Sequence, residues 1–107
     1  MPTSVKIKMC GFTHPDDAKT AADLGVDAVG MVLSEGDAKK SFERYISKPQ
    51  AMDIVEVLPD EVKRIGVFVD DDHDRINSLV EILQLDFVQF YNPHYHIRNH
   101  QHFLELN

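Results

Sequence analysis

Cysteine is nearly absent from this chain. Cys10 is the only one in 107 residues, which excludes an internal disulfide framework and fits a reducing compartment. Positive charge is also scarce: eleven Lys and Arg face eighteen Asp and Glu, a formal net charge of −7. Such a molecule repels phosphate backbones and anionic lipid, so nucleic acid and membrane surfaces are poor candidate partners. No apolar run approaches the roughly 18 residues of a membrane helix, and the opening Met-Pro-Thr-Ser-Val-Lys lacks the apolar core of a signal peptide. The expected location is the cytoplasm. No glycine-rich phosphate loop of either nucleotide-binding type occurs, and no cofactor is expected. What remains is 43% hydrophobic residues, enough for one domain with one modest core.

The apolar residues fall into an alternating pattern. Val5 to Cys10 reads as a first strand, stopped by Gly11. Thr13 or His14 can cap a helix whose first turn holds Pro15, Asp16 and Asp17, where proline is tolerated and acids meet the positive end of the dipole. Ala18, Ala21, Ala22 and Leu24 continue at helical spacing, and Gly25 supplies a left-handed stop. Ala28 to Leu33 is apolar without alternation, as in a parallel strand covered on both faces, and Gly30 within it leaves room for a close neighbour. Ser34 to Tyr45 is polar and long for a βα loop, the kind of connection that tends to carry function. Ser47 can cap a second helix with Pro49 in its first turn, an apolar face of Ala51, Ile54, Val55 and Leu58, and Pro59 as its end.

Arg64 to Val69 repeats the buried-strand pattern. Asp70 to Asp72 then crowd the start of a third helix, with Ile76, Leu79, Val80 and Leu83 on its apolar face. Phe87 to Tyr91 reads as a fourth strand. Strands and helices alternate every roughly 25–30 residues, which predicts right-handed βαβ units and a parallel sheet, βαβαβαβ.

After Asn92 the texture changes. Pro93 breaks the strand, and four of the six histidines lie between His94 and His102. Ile97, Phe103, Leu104 and Leu106 suggest a short turn of helix against the sheet. The expected division is a domain over residues 1–91 and a His-rich tail over 92–107. The His94/His96 and His100/His102 pairs could offer imidazoles to a transition metal, but no cysteine or regularly spaced acid completes a site, so the tail reads as solvated and no metal is expected.

Several segments carry a resemblance when taken in order. They are Lys8-Met9-Cys10-Gly11-Phe12-Thr13, Pro15-Asp16-Asp17-Ala18, Leu24-Gly25-Val26-Asp27-Ala28-Val29-Gly30, Ser41 with Arg44-Tyr45-Ile46-Ser47, Val62 to Val69, and Asp86-Phe87-Val88-Gln89. This ordered set resembles the phosphoribosylanthranilate isomerase family of tryptophan biosynthesis, a (β/α)8 barrel, over about Val5 to Gln89. At roughly 250 residues for a typical barrel, the resemblance implies an α/β fold that is the N-terminal half of a TIM barrel, truncated. Two departures stand out. The family's Val-Gln-Leu-His-Gly is here Val88-Gln89-Phe90-Tyr91-Asn92, and the later aspartate strand, Gly-Gly-Thr-Gly loop and Ser-Ser-Gly-Val-Glu phosphate loop have no counterpart.

The resemblance implies an Amadori rearrangement of N-(5-phosphoribosyl)anthranilate to a 1-deoxyribulose 5-phosphate aminoketose. An acid protonates the ribose ring oxygen, and a base takes the proton from the carbon beside the resulting iminium. Cys10 matches the family's base and Arg44 the arginine that holds the anthranilate carboxylate, while Gln89, with Asp70, sits at a predicted strand end on the active face and is a further candidate for substrate contact. Each has an ordinary alternative. A lone cysteine is often a small buried hydrophobe, Arg44 could be a solvated loop charge, and Gln89, like Asp70, could satisfy backbone or cap a helix. No residue replaces the general acid. Loss of one such group commonly lowers rates by about 10^2–10^4, so the isolated chain is expected to have little activity on its phosphorylated small-molecule substrate. The alternative is a non-catalytic half-barrel interaction module, covered by a second copy or by a separate C-terminal half. A third reading is a flavodoxin-like open sheet that binds a ligand at its strand ends.

Overall fold

The computed structural model describes residues 6–33, 45–68, 71–92 and 100–105. The order is β1 (Lys8–Cys10), α1 (Pro15–Asp23), β2 (Ala28–Val32), α2 (Lys48–Val57), β3 (Lys63–Phe68), α3 (His73–Leu83), β4 (Phe87–Asn92) and β5 (His100–Glu105). Local chemistry sets the helix limits. His14 occupies the N-cap of α1 in extended backbone without a side-chain capping bond, and Pro15, Asp16 and Asp17 make the first turn. At the other end Gly25 has φ +95°; its N–H donates to the Ala22 carbonyl at 3.0 Å and that of Val26 to Ala21 at 3.3 Å, a Schellman stop. Ser47 begins α2 with a capping box, its backbone N–H donating to Gln50 Oε1 at 2.9 Å. Leu58, held extended by Pro59, ends it. Asp72 caps α3 by accepting from the Arg75 N–H at 2.8 Å. That helix stops at Gln84, a non-glycine residue in left-handed backbone at φ 54°, ψ 52°.

β1 to β4 are parallel and lie side by side in sequence order. Alternation along each strand gives the sheet two faces. Val29, Met31, Leu33, Phe68 and Val88 point to the helices, where they form one buried cluster with Ala18, Ala21, Ala51, Ile54, Leu58, Ile76, Leu79 and Leu83. α2 packs between α1 and α3 over this layer. Truncating a fully buried member such as Ile54 or Leu83 to alanine removes about 2–5 kcal/mol. The opposite face carries Ala28, Val32, Ile65, Val67 and Gln89, all buried. It is the concave side, and it carries the candidate site.

Two aspartates at matching places join the strands at their N-terminal ends. Asp27, just before β2, accepts from the Ile7 N–H at 2.7 Å, and Asp86, just before β4, accepts from the Arg64 N–H at 2.9 Å. Arg64 also donates through its guanidinium to the carbonyls of Val55 and Leu83, at 3.3 and 3.4 Å, near the C-terminal ends of α2 and α3. A cation there sits at the C-terminal ends of both helices, where the dipole favours positive charge; the Val55 carbonyl also accepts from the Leu58 N–H at 3.2 Å.

The polar region after β4 corrects one expectation. Residues 100–105 form a strand, β5, not a turn of helix, and it pairs antiparallel with β4 from Phe87↔Glu105 to Asn92↔His100. The cause is non-local: the outer edge of β4 presents unpaired N–H and C=O groups, and a chain returning beside it satisfies them.

Candidate active site

In a parallel α/β sheet, ligands meet the C-terminal ends of the strands. Cys10 occupies that position on β1 and is exposed. Lys8, two residues earlier, shares its face. Both lie against Gly30 of β2, the residue in register with Cys10. A Cβ at Gly30 would stand 2.8 Å from Cys10 Sγ and 2.9 Å from Lys8 Cε, so the absence of a side chain there makes room for both groups. Gly11 then turns the chain away with φ +87°, its N–H donating to the Gly30 carbonyl at 3.2 Å.

Lys8 leans over Gly30 and its Nζ donates to Oε1 of Gln89 on β4. In a flat sheet β1 and β4 would be about 14 Å apart. A lysine leaning over one strand does not cover that distance, so the bond also records an inward curl of the sheet. Gln89 is 4% exposed and, among the described residues, is the buried polar residue of this face. Burial pushes the Lys8 ammonium below the usual lysine range, and the charge of Cys10 partly restores it. The result is an accessible thiol, a half-buried cation and a buried amide on one concave surface. A thiol so placed can exchange a proton with a ligand lying over the strand ends.

The same face opens at its other end into a cavity of about 450 Å³. Ala28, Ile65 and Phe87 line it together with Lys8 and the charged Lys6, Lys63, Asp27 and Glu61. A complete barrel fills its interior with layers of side chains from alternate strands.

The model of the N-(5'-phosphoribosyl)anthranilate (PRA) isomerase family matches residues 7–101. The chain belongs to this family. Over 90 residues it is 37% identical to the N-(5'-phosphoribosyl)anthranilate isomerase of Chlorobium phaeobacteroides, an alignment that covers 84% of this chain and 39% of that one. A phosphoribosyl anthranilate isomerase solved in complex with reduced 1-(o-carboxyphenylamino)-1-deoxyribulose 5-phosphate superposes with a TM-score of 0.74 at 36% identity, covering 84% of this chain and 44% of that one. Monomers of the dimeric phosphoribosylanthranilate isomerase from Thermotoga maritima give a TM-score of 0.70, again at 36% identity, with coverage of 83% and 42%. The chain thus spans about two fifths of the length of these relatives. β1 to β4 with their helices are the first half of the phosphoribosylanthranilate isomerase barrel.

Of the residues singled out from the sequence, Cys10 and Gln89 fall on one face of the sheet, linked through Lys8 and Gly30. Arg44 and Asp70 lie outside the described residues, as does the loop from Ser34. Tyr45, next in sequence to Arg44, bridges Val32 at the C-terminal end of β2. His94 and His96 are also outside the described residues, whereas His100 and His102 belong to β5. Among the described residues no three metal-ligating side chains gather, and no helix is long and apolar enough to cross a membrane. Lys8 is the member of the site to which sequence reasoning assigned no role. Its place two residues before Cys10 on a strand was the available signal.

Proposed function

We propose that this chain supplies the base-bearing half of a phosphoribosylanthranilate isomerase, with Cys10 as the general base. The observation that carries the reading is the exposed thiol at the C-terminal end of β1, on the concave face beside Lys8. In the reaction a general acid protonates the ribose ring oxygen, the bond from that oxygen to C1 breaks, and the anthranilate nitrogen shares its lone pair to form an iminium. Cys10 as thiolate then removes the C2 proton, giving an enolamine that becomes the aminoketose. Arg44, between β2 and α2 in sequence, would hold the substrate carboxylate through its planar pair of N–H donors. Gln89 and Lys8 would face the substrate from the floor of the site. The general acid and the phosphate site belong to the second half of the barrel, provided by a partner or by further sequence, in a cytoplasmic setting.

The test is isomerase turnover, followed as loss of phosphoribosylanthranilate fluorescence, for the purified chain alone and mixed with a C-terminal half-barrel of a related isomerase. The expected result is activity in the mixture that Cys10→Ala abolishes. Activity unchanged by Cys10→Ala would refute the assignment. A second reading, a non-catalytic half-barrel that pairs with another copy or another half, is favoured by the open cavity and by Ile7, just before β1, and Met9 within it, exposed at 49% and 45%. Stable association without turnover in the mixture would select it.

A further inference from the structure

We infer that β5 is a displaceable occupant of the β4 edge, and that a C-terminal half-barrel docks at this edge only when β5 leaves it. The inference rests on the half-barrel reading above and concerns the control of its assembly. In a closed parallel barrel every strand has a parallel neighbour on each side. The outer edge of β4 in this family's barrel is therefore the seat of a parallel strand. Here an antiparallel strand holds that edge at six paired positions, Phe87 through Asn92. The seven residues between Asn92 and His100 explain the direction. A parallel return needs a crossover of a dozen or more residues, whereas an antiparallel return needs only a short loop.

One edge cannot serve two strands, because each outward N–H and C=O of β4 bonds to one neighbour at a time. At the opposite end of the sheet, β1 pairs with β2 and no strand among the described residues lies on its far side. The two ends are thus unequal: a partner half can approach β1, but closure at β4 requires β5 to unpair. The partner that fits is the second half of a (β/α)8 barrel presenting a parallel strand.

The experiment uses the full chain and the C-terminal half of a related isomerase, with affinity read by sedimentation and exposure by hydrogen exchange. In Phe103→Pro/Leu104→Pro, two adjacent N–H groups are lost, and since successive N–H groups point to opposite sides, one of them faces β4. This double variant is expected to bind the half-barrel at least tenfold more tightly than the unaltered chain, with β1 to β3 amides as protected as before. In the unaltered chain, addition of the half-barrel at high concentration is expected to expose the amides of residues 101–105 while those of β4 stay protected, a readout that stands even if the double variant fails to fold. Equal affinity for both chains, binding with β5 still protected, self-association of the variant in place of binding, or no binding by either would each overturn the inference. Failure of the isomerase reading shows elsewhere, as tight binding without Cys10-dependent turnover.

Discussion

Gly30→Ala tests the geometry of the site directly. The new methyl would meet Cys10 Sγ at 2.8 Å and Lys8 Cε at 2.9 Å, where carbon contacts settle at about 3.5–4.0 Å. Both groups must therefore move by about 1 Å. Cys10 is exposed and can turn, with an off-rotamer penalty of about 0.5–1.5 kcal/mol. Lys8 can swing aside only by weakening its bond to Gln89, a buried amide, and a buried polar group that loses a bond costs about 1–3 kcal/mol. The net expectation is a destabilisation of about 1–3 kcal/mol, measured as a lower urea midpoint with unchanged slope. Lys8→Ala removes the Cε that the methyl strikes, so in that background Gly30→Ala should cost about 1 kcal/mol less, a coupling typical of residues in contact. Equal costs in the two backgrounds would refute the idea that Lys8 crosses Gly30. In a complemented enzyme the displaced thiol should lower turnover by about 10^2-fold, since a misplacement of about 1 Å has that effect.

Asp86→Ala deprives the Arg64 N–H of its carboxylate and is expected to destabilise by about 1–3 kcal/mol, with faster amide exchange at Arg64 as the local check. Gln84→Gly relieves left-handed backbone at the end of α3 and should raise stability by about 0.5–1 kcal/mol, seen as a higher urea midpoint. Lys8 gives a pH signature. Its native pKa is lowered by burial, with Cys10 pulling the other way, whereas the unfolded chain keeps the proton up to about 10.4. Between those values the unfolded state binds more protons, so this group makes stability rise with pH. Lys8→Met should remove that rise, and parallel stability-versus-pH curves for the two proteins across this interval would contradict it.

The parts of the fold that are legible in the sequence are those with local causes. Gly25 stops α1 because only a left-handed residue allows that turn, Ser47 and Gln50 cap α2 by reciprocal bonds, and Pro59 ends it by sterics. Unbroken apolar runs announce β2 and β3 because parallel strands are covered on both faces. β5 escapes this kind of reading, because His100-Gln101-His102 has no apolar alternation and the strand forms in answer to the edge of β4. The site divides in the same way. Cys10 is visible as a strand end followed by a glycine turn, but its neighbourhood is not: Lys8 and Gln89 are 81 positions apart and meet only once the sheet has curled.

The Lys8–Gln89 bond behaves as a tie across an arch. It joins the first and fourth strands over the hollow of the sheet, so a contact within this chain favours a curled sheet. A sheet tied in this way has less freedom to lose when it receives its complement, which favours association as preorganisation does. On the displacement inferred above, the burden of completing a barrel falls on clearing one short strand from the β4 edge, and the pace of assembly follows the fraying of residues 100–105.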